Sequence, residues 1–371
     1  MILKHIFSYK ISHSIMLFDK GGIEMNQTFL YDMLKTPSVS GNEFILQKKV
    51  YDYMKPKADR IITDAQGNVI SVLNENSPIK ILLAGHIDEI GLFVSGYSSN
   101  GFLKVKNAGG VYLSTYLGHK VRIYTKNGMI MGAVVNTRSL SSKSELTFND
   151  LFIDIGANSK EEAMNYVEIG DIITIDSDYC ELLNGHLSGR ALDNRVGAFV
   201  VIETLIRCKE KGCKIGVYSA TTVGEETTKR GAYMAAATIL PTMSIAIDVT
   251  YATDYPGGPT DREVSLGAGP VFCYSPLTNR KMNDLLKDCA KKYNIPFQIE
   301  TEHKMTGTDA DTMVFTGTGV PSCLVSIPLR YMHNPDETVH LNDLEQTIEL
   351  LSSFLSSLNE SFTLNPFEDM N

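Results

Sequence analysis

The sequence predicts an α/β fold, in which a mixed sheet lies between two layers of helices and a small β-rich domain interrupts the chain. Residues 79–85 form a nearly continuous apolar run, which is typical of a strand buried on both faces. After Gly189, helical and strand patterns alternate, as they do in α/β proteins. Between residues 92 and 178, short alternating strands broken by Gly and Asn indicate the insert.

The residues before the apolar run predict two helices and a hairpin. The first helix begins at Asn26, and the apolar spacing from Phe44 to Met54 predicts the second. Strands at 60–64 and 69–73 flank a Gln-Gly-Asn turn. The buried strand therefore follows a segment of two helices and a hairpin.

The insert and the C-terminal half supply the remaining elements. In the insert we expect one helix near 161–166 and strands at 101–106, 120–124, 129–135 and 171–175. After the insert we expect strands at 214–220, 243–249 and 322–327, and helices at 191–208, 228–237, 279–292, 310–315 and 341–358. This alternation predicts strands joined by helices around one core.

Composition and charge exclude several classes of protein. The chain has 371 residues, of which 43% are hydrophobic and 21% are charged, as in globular proteins rather than disordered or fibrous ones. Its formal net charge of −9 opposes binding to nucleic acids and to anionic membranes. Charged residues interrupt every apolar run before the roughly 20 residues of a membrane span, so we expect no transmembrane segment. The six dispersed cysteines indicate reduced thiols and a cytoplasmic protein.

His86 lies at the end of the predicted buried strand and is followed by Asp88 and Glu89. Side chains alternate along a strand, so His86 and Asp88 point the same way, and the carboxylate can orient the imidazole of a metal ligand. Taken alone, the motif is explained more simply by a hydrogen-bonded histidine with a structural role.

Further polar residues lie next to the ends of predicted elements. Asp193 lies where a helix begins, a position that helix capping also explains. Glu225 and Glu226 follow a strand, and two adjacent carboxylates repel each other unless one binds a cation or is protonated. Asp248 ends an apolar strand that does not tolerate an unpaired charge, and His333 follows the last predicted strand.

Together these side chains favour a two-metal hydrolytic centre. Two histidines and three carboxylates next to the ends of buried strands are the ligands that such a centre needs. Oxygen and imidazole ligands without thiolate favour Zn²⁺, Co²⁺ or Mn²⁺. The cysteines have no spacing typical of metal ligands.

The chain resembles the tetrahedral (TET) aminopeptidases, which include glutamyl and deblocking aminopeptidases. The resemblance extends from about Met25 to Leu358. It is carried by Gly85 to Gly91, Arg190 to Gly197, Glu225-Glu226 with Arg230-Gly231-Ala232, Asp248-Val249-Thr250 through Asp254-Tyr255-Pro256, Gly269-Pro270, Gly307 to Ala310 and Arg330 to His333.

The resemblance implies a role for each candidate residue. Asp193 bridges two divalent metal ions per subunit, Zn²⁺ or Co²⁺ with Mn²⁺ as an alternative. His86 and Asp248 complete the first site, and Glu226 and His333 complete the second. Glu225 is then the general base. Asp88, which the alternation of the strand places on the same side as His86, is the second predicted catalytic residue.

The resemblance also implies the reaction and the assembly. Water activated by the metal ions releases N-terminal amino acids from peptides. The insert is a small, PDZ-like β-barrel that forms dimers, and the dimers assemble into a hollow homododecamer that admits peptides rather than folded proteins.

The ligand positions define the domains. His86 precedes the insert and Asp193 follows it, so 25–91 and 179–358 form one discontinuous catalytic domain, and 92–178 form the dimerisation domain. Residues 1–24 are an N-terminal extension, Met25 is a candidate for the native start, and 359–371 are a tail.

Other functions remain open from the sequence. Carboxypeptidases and amide deacylases use similar ligands, some similar proteins carry the name endoglucanase, and an inactive scaffold could retain the fold. Asp254 and Asp309 are candidates for holding the substrate's α-amine, although Asp309 could equally cap the helix from Ala310. We expect Lys229 to lie on a helix surface rather than in the pocket.

Overall fold

The computed structural model describes residues 25–364 and residue 367. The extension 1–24 and positions 365–366 and 368–371 of the predicted tail lie outside the described residues. The helices are α1 Gln27–Lys35, α2 Phe44–Met54, α3 Arg138–Ser141, α4 Lys160–Met164, α5 Leu192–Glu210, α6 Glu225–Thr228, α7 Arg230–Ile239, α8 Arg280–Lys292, α9 Ala310–Met313 and α10 Leu341–Ser357. The strands are β1 Arg60–Thr63, β2 Val69–Leu73, β3 Lys80–His86, β4 Gly91–Tyr97, β5 Leu103–Ala108, β6 Lys120–Thr125, β7 Gly128–Val134, β8 Phe152–Asp154, β9 Ile172–Ile175, β10 Cys180–Glu181, β11 His186–Ser188, β12 Gly216–Thr222, β13 Met243–Tyr251, β14 Val271–Tyr274, β15 Gln298–Thr301, β16 Ser322–Leu329 and β17 Thr338–His340.

An eight-stranded mixed sheet forms the centre of the molecule. Its strand order is β1-β2-β12-β3-β13-β16-β14-β15. The four central strands β12, β3, β13 and β16 are parallel, whereas β2 and β14 run antiparallel to their central neighbours. The carboxyl ends of the parallel strands therefore meet at one edge, where ligands collect in open α/β sheets.

Helices cover both faces of this sheet. On one face α1, α2, α5, α8 and α10 enclose the larger hydrophobic core. On the other face α7 and α9 pack against the strands through alanines, together with Ile239 and Met313. The prediction of a mixed α/β fold is confirmed.

The inserted segment forms a closed six-stranded barrel in the order β4-β5-β8-β7-β6-β9. The barrel has a hydrophobic core of its own, separate from the cores of the central sheet. A further three-stranded sheet joins β10, β11 and β17. The barrel leaves the central sheet after β3, and the chain returns to that sheet through α5 and β12.

Some elements differ from the expectation. The short strands β8, β14 and β15 have three or four residues each, too few to show a period of two, and they were not predicted. The strand β4 was also missed, because it begins at Gly91, only a few residues after β3. Among the described residues, no helix combines the length and apolar character needed to cross a membrane.

The start of α5 lies against the end of β3. A Cβ atom on Gly85 would lie 2.6 Å from the backbone carbonyl carbon of Gly197. Any larger residue at position 85 would therefore push α5 away from the sheet. This close approach brings His86, at the end of β3, next to Asp193, which precedes the regular part of α5.

Candidate metal centre

The candidate ligands lie together at the carboxyl edge of the parallel strands. His86 ends β3 and Asp248 lies near the end of the neighbouring strand β13. Glu226 follows β12, in the short helix α6. His333 lies in the loop after β16, and Asp193 adopts a non-helical backbone at the start of α5. All five predicted ligands therefore converge on one site.

The first group of ligand atoms comes from His86, Asp193 and Asp248. Nε2 of His86 lies 3.2 Å from Oδ1 of Asp193 and 3.6 Å from Oδ1 of Asp248. All three side chains are buried, and the His86 side chain is only 1% exposed.

The second group comes from Asp193, Glu226 and His333. Nε2 of His333 lies 3.5 Å from Oδ2 of Asp193 and 3.6 Å from Oε2 of Glu226. Asp193 thus contributes one carboxylate oxygen to each group. The two groups share this side chain and no other.

The electrostatics of the site indicate a need for positive charge. Burial is the main cause that raises the pKa of Glu226 well above its ordinary value, and the Asp193 charge adds to the effect. Burial also raises the pKa of Asp248. Burial opposes the charged form of His86, yet the neighbouring carboxylates of Asp248 and Asp193 raise its pKa well above the ordinary value. Bound divalent cations would offset this excess of carboxylates.

The donor set also suits such cations. The ligand atoms within each group lie within 4.8 Å of one another. Imidazole nitrogen and carboxylate oxygen are ligands of zinc and related divalent metals, and neither group includes a thiolate. These residues therefore fit the two metal ions that the sequence predicted.

Asp88 acts differently from the sequence expectation. Nδ1 of His86 lies 3.1 Å from the backbone carbonyl oxygen of Asp88, whereas the nearer carboxylate oxygen is 3.6 Å away. The Asp88 carboxylate instead accepts hydrogen bonds from the backbone N–H groups of Glu225 at 3.0 Å and Glu226 at 3.2 Å. Asp88 therefore orients His86 mainly through its main chain and holds the start of α6 through its side chain.

Glu337 is a buried residue that the sequence analysis missed. Its Oε1 accepts the backbone N–H of His333 at 2.8 Å, and its Oε2 accepts the backbone N–H of Asp193 at 3.0 Å. On the ring side, Nδ1 of His333 lies 2.9 Å from the carbonyl oxygen of Gly110. The only sequence signal is an acidic residue four positions after His333, immediately before the short strand β17.

Glu225 belongs to neither ligand group. Its Oε2 lies 3.8 Å from Nε2 of His86, and its Oε1 is buried without a hydrogen-bond partner. Burial raises the pKa of this carboxyl group well above its usual range. A buried carboxylate beside the ligands, with an atom left unbonded, is suited to accept a proton from a small molecule in the site.

The expectation for Lys229 is wrong. This residue lies between α6 and α7 in a left-handed conformation with φ of 54°, rather than on a helix surface. Its Nζ lies 3.2 Å from Asp311 and 3.7 Å from Oε1 of Glu225. Its ion pair with Asp311 holds the Lys229 side chain in the cavity wall.

Asp309 and Asp254 have other partners. Asp309 makes no capping hydrogen bond to the helix α9; its Oδ2 accepts a hydrogen bond from Thr222 at 2.5 Å. The capping interpretation of Asp309 is therefore wrong. Asp254 forms a two-point ion pair with Arg330 at 2.8 and 2.7 Å. Its carboxylate is already used in holding Arg330, so it is a poor candidate for binding the substrate's α-amine.

A cavity of about 630 Å³ opens over the site. Its wall includes both ligand groups and Glu225, together with a second set of polar side chains on the neighbouring strands β13 to β16. This volume suits a small molecule or the end of a peptide rather than a folded protein.

Comparisons with known proteins agree with this arrangement. The model of the M42 glutamyl aminopeptidase family matches residues 67–350. A lysyl aminopeptidase of Pyrococcus furiosus is 33% identical over 337 residues, which cover 88% of this chain and 95% of that protein. Peptidases of this family depend on metal ions, in agreement with the two candidate ligand groups.

Solved structures give the same result. A TET aminopeptidase from the marine sediment archaeon Thaumarchaeota archaeon SCGC AB-539-E09 has a TM-score of 0.84 and 32% identity, covering 90% of this chain and 97% of that chain. The TET1 peptidase of Pyrococcus horikoshii, which can assemble into a tetrahedron or a large octahedral shell, has a TM-score of 0.80 and 31% identity, covering 90% and 99%. The resemblance to TET aminopeptidases is thereby confirmed, and the chain belongs to the M42 family of aminopeptidases, enzymes that hydrolyse peptide bonds.

Proposed function

We propose that this enzyme is a dinuclear metal aminopeptidase that releases N-terminal amino acids from peptides, with Glu225 as general base. The observation that carries the proposal is the position of Asp193, whose two carboxylate oxygens face two different histidines. One carboxylate shared between two ligand groups is the arrangement expected for a bridging ligand of a two-metal site.

The proposed ligands are those of the two groups. His86 and Asp248 would hold one divalent ion with Asp193, and Glu226 and His333 would hold the other. Zn²⁺ or Co²⁺ suits these ligands, and Mn²⁺ is an alternative. When bound, such ions acidify water and polarise a carbonyl group.

The residues of the chain supply the proton transfers. Glu225 accepts a proton from the attacking water and returns it to the amine that leaves. Its burial favours the protonated carboxyl group, so Glu225 can hold the proton between the two steps. Asp88 fixes the main chain of Glu225, so it acts as a positioning residue.

The alternative functions explain the site less well. A glycosidase needs two carboxyl groups that flank the scissile bond, and it has no use for two histidines that face a shared aspartate. An inactive scaffold would need no gathering of buried carboxylates, which is costly without a cation. Carboxypeptidases and amide deacylases differ from an aminopeptidase in the substrate end that they bind, so substrates distinguish them.

We also propose that the chain assembles through its barrel. In this proposal 92–178 form a dimerisation domain and 25–91 with 179–358 form the catalytic domain. The barrel strand β7 exposes Met129 and Met131, and the region after α4 exposes Tyr166 and Ile169. Contiguous exposed apolar surface is typical of interaction surfaces, and Met129 and Met131 lie on the same face of β7. Dimers would then build a homododecamer, a closed shell that admits peptides and excludes folded proteins.

The cytoplasm is the proposed location. All six cysteines are free thiols, and five of them are buried. Free thiols persist in a reducing compartment, where disulfide bonds are rare.

One experiment separates these functions. The protein is stripped with a chelator, reloaded with Zn²⁺, Co²⁺ or Mn²⁺, and assayed on leucyl, glutamyl and lysyl substrates, on N-acylated and C-terminal amino acid substrates, and on cellulose. The proposal expects metal-dependent hydrolysis of substrates that have a free N-terminus. Activity confined to cellulose, to acylated substrates or to C-terminal residues would contradict it.

A further inference from the structure

A second cluster of polar side chains lines the cavity beside the candidate metal centre. It consists of Glu300 on β15, Glu302 just after this strand, and Arg262 in the loop before β14. Neither ligand group includes any of the three residues. None of them was singled out from the sequence.

Sheet register brings this cluster close to the ligands. Asp248 on β13 lies opposite Ser326 on β16, and Thr250 follows two residues after Asp248 on the same face. Oγ1 of Thr250 donates to Oε2 of Glu300 at 2.6 Å, and Oγ of Ser326 donates to its Oε1 at 3.4 Å. Through its hydrogen bond with Thr250, the Glu300 carboxylate therefore lies on the same face of the sheet as Asp248. The positions of Asp248 and Thr250 are about 7 Å apart, because that is the span of two residues of a strand.

Arg262 joins the two glutamates. Its Nη1 donates to Oε2 of Glu300 at 3.1 Å, and its Nη2 lies 3.1 Å from Oε1 of Glu302. The Glu300 side chain is 3% exposed, whereas that of Glu302 is 27% exposed. Glu300 thus anchors the guanidinium group, and Glu302 offers its carboxylate to the cavity.

The charges of the cavity wall do not balance at this cluster. Glu300, Glu302 and the exposed Asp261 face one guanidinium group, so the formal charge is −2. Both of the Arg262 terminal nitrogens already face glutamate oxygens. The other cation of the wall, Lys229, is paired with Asp311. An acidic side chain of a substrate would meet a net negative charge here, whereas a cationic side chain would offset part of that charge.

We infer that Glu300, Glu302 and Arg262 form the pocket for the side chain of the substrate's N-terminal residue, and that the pocket selects lysine or arginine over acidic residues. The inference rests on the proposed function, because it places the N-terminal residue at the metal centre. Lysine carries its charge on a flexible four-carbon stem, so its ammonium group can reach a carboxylate of the cavity wall away from the backbone of the substrate.

The test compares substrates that differ mainly in charge. Lysyl and norleucyl p-nitroanilides share the same aliphatic stem, and glutamyl and glutaminyl p-nitroanilides share a similar shape. With the metal-loaded enzyme we expect kcat/KM to be about tenfold higher for lysyl than for norleucyl substrate. We expect the glutamyl substrate to be the poorest of the four.

Substitutions test whether Glu300 and Glu302 cause the preference for the lysyl substrate. Glu302→Gln should lower the lysyl-to-norleucyl ratio of kcat/KM towards one, and Glu300→Gln should act in the same direction. Glu302→Lys should improve the glutamyl substrate relative to the lysyl one. Glu263→Gln is the matched control, since Glu263 is exposed and adjacent to Arg262 in the chain, and it should keep the parent ratio.

Two results would overturn the inference. One is a lysyl-to-norleucyl ratio near one, or a preference for glutamyl substrate, in the unsubstituted enzyme. The other is a ratio that neither glutamate variant changes. If no aminoacyl substrate is hydrolysed, the proposed function fails by itself. Calorimetric binding of lysinamide and norleucinamide to the parent and to Glu302→Gln then still tests the pocket, which requires tighter lysinamide binding that is lost in the variant.

Discussion

The backbone N–H of His333 donates to Oε1 of Glu337 at 2.8 Å. The other oxygen of the same carboxylate accepts the backbone N–H of Asp193, so one buried side chain fixes the main chain at two proposed ligands that are far apart in sequence. Glutamine in this place has one acceptor oxygen, and its amide would face the second N–H group.

Glu337→Gln should therefore weaken metal binding rather than simply remove activity. Loss of an outer residue that orients metal ligands typically lowers affinity about 10- to 100-fold. Equilibrium titration of the metal-free protein with Co²⁺, followed by visible absorption, measures this change. Asp336→Asn is the control, because Asp336 is the exposed neighbour in the chain. Equal affinities of Glu337→Gln and the parent would show that the carboxylate does not position the ligands.

Glu225→Gln should keep both metal ions and lose catalysis. Glu225 lies outside both ligand groups, so the substitution leaves every proposed ligand in place. A general base contributes about 10²- to 10⁴-fold to the rate, and kcat should fall by this factor. Elemental analysis and steady-state kinetics on the same sample measure the two effects. Hydrolysis at the parent rate would exclude Glu225 as the base.

Substitution of Asp193 should lower the metal content of the protein more than substitution of His333. Asp193 contributes to both groups, whereas His333 contributes to one. His333→Ala should therefore lower the metal content from two ions to one per chain, and Asp193→Ala should lower it further. Metal content after equilibrium dialysis is the measurement. Two tightly bound ions in His333→Ala would contradict the assignment of this histidine.

Long elements with a clear pattern could be predicted from the sequence. The strand β3 and the helix α10 differ from their expected bounds by at most one residue at each end. Strands of three or four residues, such as β8 and β14, were missed because their length cannot show a period. Closure of the barrel depends on contacts between strands, which local patterns do not contain.

Some residues of the candidate site could likewise be predicted from the sequence, and others could not. His86, Asp248 and the Glu225-Glu226 pair could be found, because ends of parallel strands meet at one edge of a sheet. The roles of Glu337 and of the Thr222–Asp309 hydrogen bond could not be predicted, because these hydrogen bonds join residues far apart in sequence. The sequence also predicted the wrong group of Asp88 as the partner of His86. The His86 ring contacts the main-chain carbonyl of Asp88 rather than its side chain, because β3 ends at His86 and strand alternation does not extend beyond it.

Met129 and Met131 should mark the proposed dimer surface of the barrel. They are 50% and 42% exposed and lie two residues apart on β7, so they project from the same face. A double substitution to aspartate should shift the assembly to smaller species, as measured by analytical ultracentrifugation. Asn127→Asp in the adjacent turn is the control for added negative charge. An unchanged sedimentation profile of the double variant would place the interface elsewhere.

Asp343 should make stability depend on pH. It is buried in the first turn of α10 and accepts backbone N–H groups of Gly267 at 2.7 Å and Gly269 at 2.8 Å. Burial nevertheless raises its pKa from 3.8 to about 6. Because the folded protein holds this proton more tightly than the unfolded chain, the associated stability is complete below about pH 4 and is lost as pH rises through 6.

Asp343→Asn removes this titration. The shift from 3.8 to about 6 corresponds to about 3 kcal/mol of stability lost on ionisation. The variant also lacks one acceptor oxygen, which costs about 1–3 kcal/mol at every pH. The free energy of unfolding of the metal-free protein, from urea titrations at pH 4, 5.5 and 7, should therefore fall less steeply with pH in the variant than in the parent. Asp288→Asn, at an exposed position of α8, should keep the parent slope. Parallel slopes for the parent and Asp343→Asn would mean that Asp343 does not titrate in this range, because only a change in its proton binding between the folded and unfolded states can separate them.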